Sequence, residues 1–552
     1  MTKALKIFLA LLGLYVAVSM ISNIFDNDFG WHLRFGQQAL TGQFQYTDGY
    51  TWTFLGQEWI NHEWGGDMLF WLIYDNLGYF ALVILTSACL WLAFLLAPRI
   101  FFKKITLPSI TISLLLLISI KFIAMMRLSM LSSIFFIAIW WSLENINRKK
   151  IIWIWPPLLW LWSALHGSWI LGFIIINIYI WGNVLCKLLS MYFARTKIKA
   201  LGNSEWLASF KNWLEQNIWS WKTIIRTMGW QILSACAIII NPYGIKIWTE
   251  ILSYFSNSYY KSYINEWLPT YAFPIHSQML VIAGVAITIV IIGLKTKKIS
   301  PVQTLLFIAL FLSASQYRRN CMFFVLACAP VLLAGWNHIS SELQKIFLLE
   351  DDLAVKKRSL IKPSAMLRAS GYFILIAIVI TVMIASSPIR YSNDGWSDSE
   401  LLLKNNFPAS AVEYLKYDSN DKIVRIFNDY GWGGYMIWEL PNGLLHIDGR
   451  SPATWKIEGN KFLLKHHIDI LTNLNQLIKL EKSNVDYVIL ANRTSEYSLP
   501  NWFNKMIFTS KRLDKLFDGF STPLITELNQ SANWQIIYQD NIAIVWKRLP
   551  SG

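Results

Sequence analysis

Apolar runs dominate the first 390 positions. Those near 5–25, 78–98, 108–126, 128–144, 151–165, 169–190, 229–245, 278–294, 301–317, 320–336 and 369–388 approach the ~20 residues a helix needs to cross about 30 Å of hydrocarbon. They lack the recurring polar face of a helix packed in a water-soluble core. The pattern predicts a polytopic α-helical membrane protein with about eleven transmembrane helices, the pairs at 108–144 and 151–190 being closely spaced. From residue 389 the pattern changes to short apolar stretches between polar turns. Ile423–Phe427, Leu444–Ile447 and Val485–Leu490 are expected strands around a turn-rich Asp429-Tyr-Gly-Trp-Gly-Gly434. Asp469–Lys482 is an expected helix, and Trp534–Tyr538 with Ile542–Trp546 an expected hairpin. Alternating strands and helices predict a small α/β domain. The expected division is a membrane domain at 1–388, with a first outer loop at 26–77, and a soluble domain at 389–552.

Composition agrees. Of the 552 residues 55% are hydrophobic and 15% charged, against roughly a quarter charged in soluble proteins. The net charge of +15 raises nucleic acid as a partner, but that needs a water-exposed basic face, and the cations sort by loop instead. With Lys3 and Lys6 inside, the inside loops hold Arg99/Lys103/Lys104, Arg148/Lys149/Lys150, Lys187 to Arg226, Lys295/Lys297/Lys298 and Lys345 to Arg368. The outside loops hold Arg34, Arg127, Lys246, Lys261, Arg318 and Arg319. This bias predicts an inside N-terminus and an outside C-terminal domain. The first run could also be a signal peptide; without a small-x-small cleavage site, an uncleaved anchor is expected. The five cysteines lie in or beside apolar runs and are expected to pack.

Polar residues near membrane spans are costly and therefore informative. Nearly all of them fall on the outer side: Asp26, Asp28, Trp31, His32, Asp48, His62, Glu63 and Trp64 in the first outer loop, then His166, Glu266 and Arg318-Arg319-Asn320 in later turns. Each has a plainer reading. The aspartates could cap a helix, the histidines and tryptophans could anchor at the interface, and Asn241-Pro-Tyr-Gly244 is a helix-stop signal. His466 and His467 are expected on the surface. No Walker or Rossmann glycine loop, His-Glu-x-x-His zinc motif or Gly-x-Ser-x-Gly elbow occurs.

Carboxylates with paired arginines suit sugar transfer from a lipid phosphate. The phosphate leaves as a stable anion and needs cations rather than a general acid. The acceptor hydroxyl needs one carboxylate base. Asp26-x-Asp after one span resembles the acidic signature of the GT-C superfamily of membrane glycosyltransferases. Asp26 to Leu33, Gln57-Glu-Trp-Ile-Asn-His-Glu-Trp64, Asn241-Pro-Tyr-Gly, Arg319-Asn, Tyr430-Gly-Trp-Gly-Gly-Tyr435 and Ile447-Asp-Gly-Arg450 look like a poorly characterised bacterial branch of that group.

The resemblance implies a helical bundle with a large first outer loop, a polyprenyl-phosphate-linked sugar donor, inversion, and an aspartate base. The base falls on Asp26 or Asp28, with Asp28 preferred and Asp26 supporting. Arg318 and Arg319, with Asn320 beside them, would hold the donor phosphate, and His62, Glu63 and His166 would orient donor or acceptor. Trp31 and Trp64 sit where a ring could stack on sugar or isoprenoid, among His32 and Glu266. The acceptor is a lipid, a glycan or a protein; the location implied is the outer face of a bacterial inner membrane, with membrane lipids as further partners. No motif names a metal, although oligosaccharide-transferring relatives use a divalent cation, so a metal stays open. Phe29-Gly30 departs from the bulkier residues expected before Trp31. A secondary transporter and a non-catalytic envelope-assembly protein are the competing readings.

Overall fold

The computed structural model describes residues 3–22, 25–195 except 149, 205–270 except 258–259, 287, 299–353, 407–450, 454–492 and 523–550. Three helices among them are long and apolar enough to cross a membrane: Tyr79–Ile100, Gly167–Phe193 and Arg318–Ser341. Five shorter apolar helices (Ile7–Ile21, Leu107–Ser119, Leu128–Glu144, Ile151–Leu165 and Pro301–Gln316) coincide with further expected spans. Apart from residue 287, the expected spans at 278–294 and 369–388 lie outside the described residues. Local chemistry sets several helix starts. Thr106 with Ser109 and Ser300 with Gln303 form reciprocal capping boxes, each next to a proline in the first turn. The expected span at 229–245 is displaced: its helix runs Trp221–Ile238. Asn241 stops it, donating to the carbonyls of Ile238 and Gly244 and accepting from the Tyr243 N–H. The remaining apolar residues, Ile239 to Ile245, form the turn around it.

The helix α1 (Lys3–Ile21) leads into the 26–77 segment, about half of which is helical. It folds as α2 (Phe29–Leu40) and α3 (Trp64–Leu77). Glycines at positive φ follow both, Gly42 (87°) and Gly78 (78°).

The C-terminal part builds a five-stranded sheet in the order β2 (Gly443–Leu445), β1 (Val424–Asn428), β3 (Tyr487–Ala491), β5 (Ala543–Arg548), β4 (Trp534–Gln539). β1 runs parallel to β2 and β3; β5 is antiparallel to β3 and β4. The expected α/β character, strands and hairpin are present. The expected helix at 469–482 is two, Leu463–Thr472 and Leu477–Lys482. Asn475 between them adopts φ +58°, and the Glu527 carboxylate caps the second by accepting from the N–H groups of Asn475, Gln476 and Leu477. The turn at 429–434 is a 3₁₀ turn, Tyr430–Trp432, followed by the short helix Gly433–Glu439. His467 is not on the surface: it is buried, stacked 5.0 Å from the Phe427 ring.

This sheet is completed by the 26–77 segment. Thr51 pairs in parallel with Leu445 on the free edge of β2. Trp52 N–H donates to the Leu445 carbonyl (3.0 Å) and Leu445 N–H to that of Tyr50 (2.9 Å). Trp52 Nε1 donates to Ile426 O, Thr53 Oγ1 to His446 O, and Phe54 stacks on Trp455 at 4.3 Å. Arg450 fixes the junction. It is bonded to Asp448 and, at 2.8 Å, to Asp48. Its guanidinium also lies within 5.0 Å of the ring centres of Tyr50, Trp59 and Trp455. The 26–77 segment and the sheet therefore form one packed unit, although the sequence separates them.

Candidate active site

Asp26 and Asp28 lie in the turn immediately before α2. Asp26 is buried and accepts two hydrogen bonds from Arg127, Nε to Oδ2 at 2.7 Å and Nη2 to Oδ1 at 2.5 Å. Arg127 Nη1 pairs with Glu266, and its Nη2 stands 3.7 Å from Asp28 Oδ2. One guanidinium thus gathers three carboxylates from two separate parts of the chain. Asp28 is the loosely held member, with 30% of its side chain exposed.

Electrostatics separates the two aspartates. Burial would raise Asp26, but the charge and hydrogen bonds of Arg127 hold it below the usual carboxylate range. Asp28 is pushed up to about 6 by burial and by the neighbouring Asp26, only partly offset by Arg127. Glu266 is held low against burial by Arg127 and Arg319.

A second network lies alongside. The Asp67 carboxylate accepts from His32 Nδ1 (2.6 Å) and from Asn61 Nδ2 (2.6 Å). His32 Nε2 then faces Glu63 Oε2 at 3.6 Å, and Glu63 Oε1 faces His166 Nε2 at 3.3 Å and His62 Nε2 at 3.7 Å. Burial alone would depress His32, but Asp67, Glu63 and Asp26 together push it up to about 9. Glu63 rises to about 7, burial outweighing His32. Burial and the charge of Arg319 lower His62 to about 4 and hold His166 well below its ordinary value. His166 Nδ1 accepts from the Ser168 N–H, which places its proton on Nε2, toward Glu63. His32, Glu63 and Asp67 bring ligand atoms within 4.8 Å of one another, a geometry open to a metal ion. Yet Asp67 spends both oxygens inside the network, and the charged His32 donates rather than coordinates.

The paired arginines part company. Arg319 lies over the Trp267 ring at 4.4 Å, and its charge acts on Glu266, Glu63, His62 and His166. Arg318 turns away, donating to the Phe122 carbonyl and resting 5.2 Å over the Phe122 ring. Asn320 donates to Ser313 Oγ, bracing the break between helices. Trp31 is buried 3.7 Å from the His32 ring, and its Nε1–H has no hydrogen-bond partner among the described residues. Trp64 opens α3, half-buried against the core.

The C-terminal unit forms a wall of this site. A Cβ on Gly449 would lie 1.7 Å from Asp28 Oδ1, and one on Gly30 would lie 2.1 Å from the Gly434 carbonyl oxygen. Gly30, the departure noted in the sequence, is thus where the backbone of helix Gly433–Glu439 sits against α2. Burial raises the Tyr430 phenol well above its ordinary value, and Asp28 adds to the rise. Sequence reasoning missed Asp67. Arg127 stood out there as a polar residue of an outer turn, and Tyr430 and Gly449 as parts of the C-terminal motifs, but nothing assigned them to this site.

No protein-family model matches this chain. No curated protein matches it either. Solved structures do. A crystal structure of the Archaeoglobus fulgidus oligosaccharyltransferase, tethered to an acceptor peptide with an NVT sequon, superposes with a TM-score of 0.53 at 14% identity, covering 89% of this chain and 69% of that one. Archaeal oligosaccharyltransferase AglB from the same organism, in complex with an inhibitory peptide and a dolichol-phosphate, gives 0.53 at 13% identity, covering 88% and 69%. The apo form gives 0.52 at 12%, covering 89% and 70%. The fold of this chain is the GT-C fold, shared with the archaeal oligosaccharyltransferases.

Proposed function

We propose that the chain is an integral-membrane glycosyltransferase. It moves a sugar from a polyprenyl-phosphate donor to an acceptor at the outer face of a bacterial inner membrane, and Asp28 is the general base. The observation that carries this reading is the asymmetry of the acid cluster: Asp26 and Glu266 are spent on Arg127, while Asp28 stays partly open with its carboxyl near 6. A base of that strength is mostly ionised at neutral pH and can take a hydroxyl proton. The acceptor oxygen then attacks the anomeric carbon from the face opposite the phosphate, and the carbon–phosphate-oxygen bond breaks with inversion. The leaving phosphate keeps the electron pair and is met by Arg319.

The shared fold supports the reading, since one of the matched proteins was solved with dolichol-phosphate and another with an acceptor peptide. The reading includes eleven crossings, an inside N-terminus, a membrane domain at 1–388 and an outer domain at 389–552. His32, His62, Glu63 and His166 serve in it as a buried network that positions the acid turn. The test is labelled polyprenyl-phosphate sugar incubated with purified protein and candidate lipid, glycan and peptide acceptors. Transfer by the wild type, abolished in Asp28→Asn with the fold intact, is the expected result; undiminished transfer by Asp28→Asn removes Asp28 from the role.

A further inference from the structure

The oligosaccharide-transferring relatives make a divalent cation at the acid cluster the natural expectation, and the residues here can be tested for fit. A hard divalent ion needs several carboxylate oxygens that are free to converge on it. In this cluster both oxygens of Asp26 are taken by Arg127, one oxygen of Glu266 is taken by the same guanidinium, and Asp28 Oδ2 lies 3.7 Å from the Nη2 that serves Asp26. Arg127 enters from a different turn, between Met126 and the 3₁₀ segment Leu128–Met130, and only 16% of its side chain is exposed. The place where the three carboxylates converge already holds a cation that belongs to the chain. The cluster does not fit a divalent ion.

We propose that Arg127 is the resident cation of the Asp26–Asp28–Glu266 cluster, in the position a divalent ion would otherwise take, and that the cluster binds no metal. A planar guanidinium serves this place well. It offers fixed donors to two carboxylates at once, carries one positive charge rather than two, and cannot be lost to a chelator. The single charge has a consequence: three acids share one cation, so one of them, Asp28, is left under-compensated. This inference concerns the make-up of the cluster and holds whether or not the chain transfers sugar.

Mn²⁺ added to the purified full-length chain in detergent, followed by electron paramagnetic resonance, reads the cluster without any turnover. The wild type is expected to show no saturable site that depends on Asp26. Arg127→Ala and Arg127→Gln are expected to gain one, at least about tenfold tighter than any wild-type binding, and to lose it again when Asp26→Asn is added. Wild-type Mn²⁺ binding abolished by Asp26→Asn overturns the proposal, as does the failure of both folded Arg127 variants to gain a site. Wild-type binding that survives Asp26→Asn but is lost in Glu63→Gln belongs to the neighbouring histidine network and leaves the cluster metal-free, as proposed. Where neither Arg127 variant folds, the wild-type titration with and without Asp26→Asn decides alone.

Discussion

Two buried arginines organise this protein, and they do so in opposite ways. Arg450 and its partners Asp48 and Asp448 are closed off almost completely, with side-chain exposures of 1%, 0% and 0%. Arg127 holds one equally buried acid, Asp26, and two that remain 30% exposed, Asp28 and Glu266. The first cluster is walled in by three aromatic rings; the second opens toward Arg319 and the histidine network. Desolvated ion pairs resist the loss of a partner because the survivor keeps its burial cost. The Arg450 cluster therefore works as a clamp. The Arg127 cluster keeps an acid in surplus, Asp28, which on the proposed reading is the one that meets a substrate.

The contrast fails first if Arg450→Ala is harmless. That change strands Asp48 and Asp448 in the interior, and denaturant unfolding is expected to show a loss of about 3–5 kcal/mol. Protease sensitivity should then appear in the 26–77 segment. Asp28→Asn should do the reverse, lowering transfer by about 10²–10⁴-fold without weakening the fold. The sign follows from the raised carboxyl: ionising Asp28 costs stability above the ordinary carboxylate range, and asparagine removes that cost. A variant markedly less stable than wild type at pH 8 would contradict this.

Gly449→Ala sits between the two clusters. Its new methyl would lie 1.7 Å from Asp28 Oδ1, so that carboxylate must swing aside; transfer should fall, while stability changes by less than about 1 kcal/mol.

Protonation separates the networks further. Transfer is expected to decline as pH falls through about 6, where Asp28 takes up its proton. His32 contributes in the opposite sense. Its stabilisation is whole below the ordinary 6.5 and is lost as pH rises through about 9. Melting temperatures of wild type and His32→Gln should therefore differ most below about pH 6.5 and converge in alkali. The smallest effect belongs to Arg318→Ala, whose donor affinity should stay within about 0.5 kcal/mol of wild type, while Arg319→Ala loses about 2–5 kcal/mol if the phosphate is desolvated. Equal losses would restore the pair as one binding element.

Much of the site was legible because polar residues stand out against apolar runs. Asp26, Asp28, His32, His62, Glu63, His166, Glu266 and Arg319 could all be picked from the sequence, and the structure gathers them. The α/β strands were equally plain, each carrying its own alternation and turn. What stayed hidden depends on distance along the chain. Nothing near Arg127 announces partners at 26 and 266, and nothing near Asp48 announces Arg450, 402 residues away. Arg318 and Arg319 look alike in sequence and are told apart only by the Phe122 carbonyl that claims the first. Helix breaks such as Asn475 were missed because an apolar rhythm continues through them.

The pairing of Thr51 with Leu445 also sets an order of events during biosynthesis. At about 5–20 residues per second, the 26–77 segment is made on the order of tens of seconds before the strand it completes. Through that interval its edge hydrogen bonds are unmet and the wall beside Asp28 does not exist. On the proposed reading, the wall beside Asp28 forms only once the C-terminal sheet has folded back onto the 26–77 segment, so a product truncated before β2 is expected to transfer no sugar.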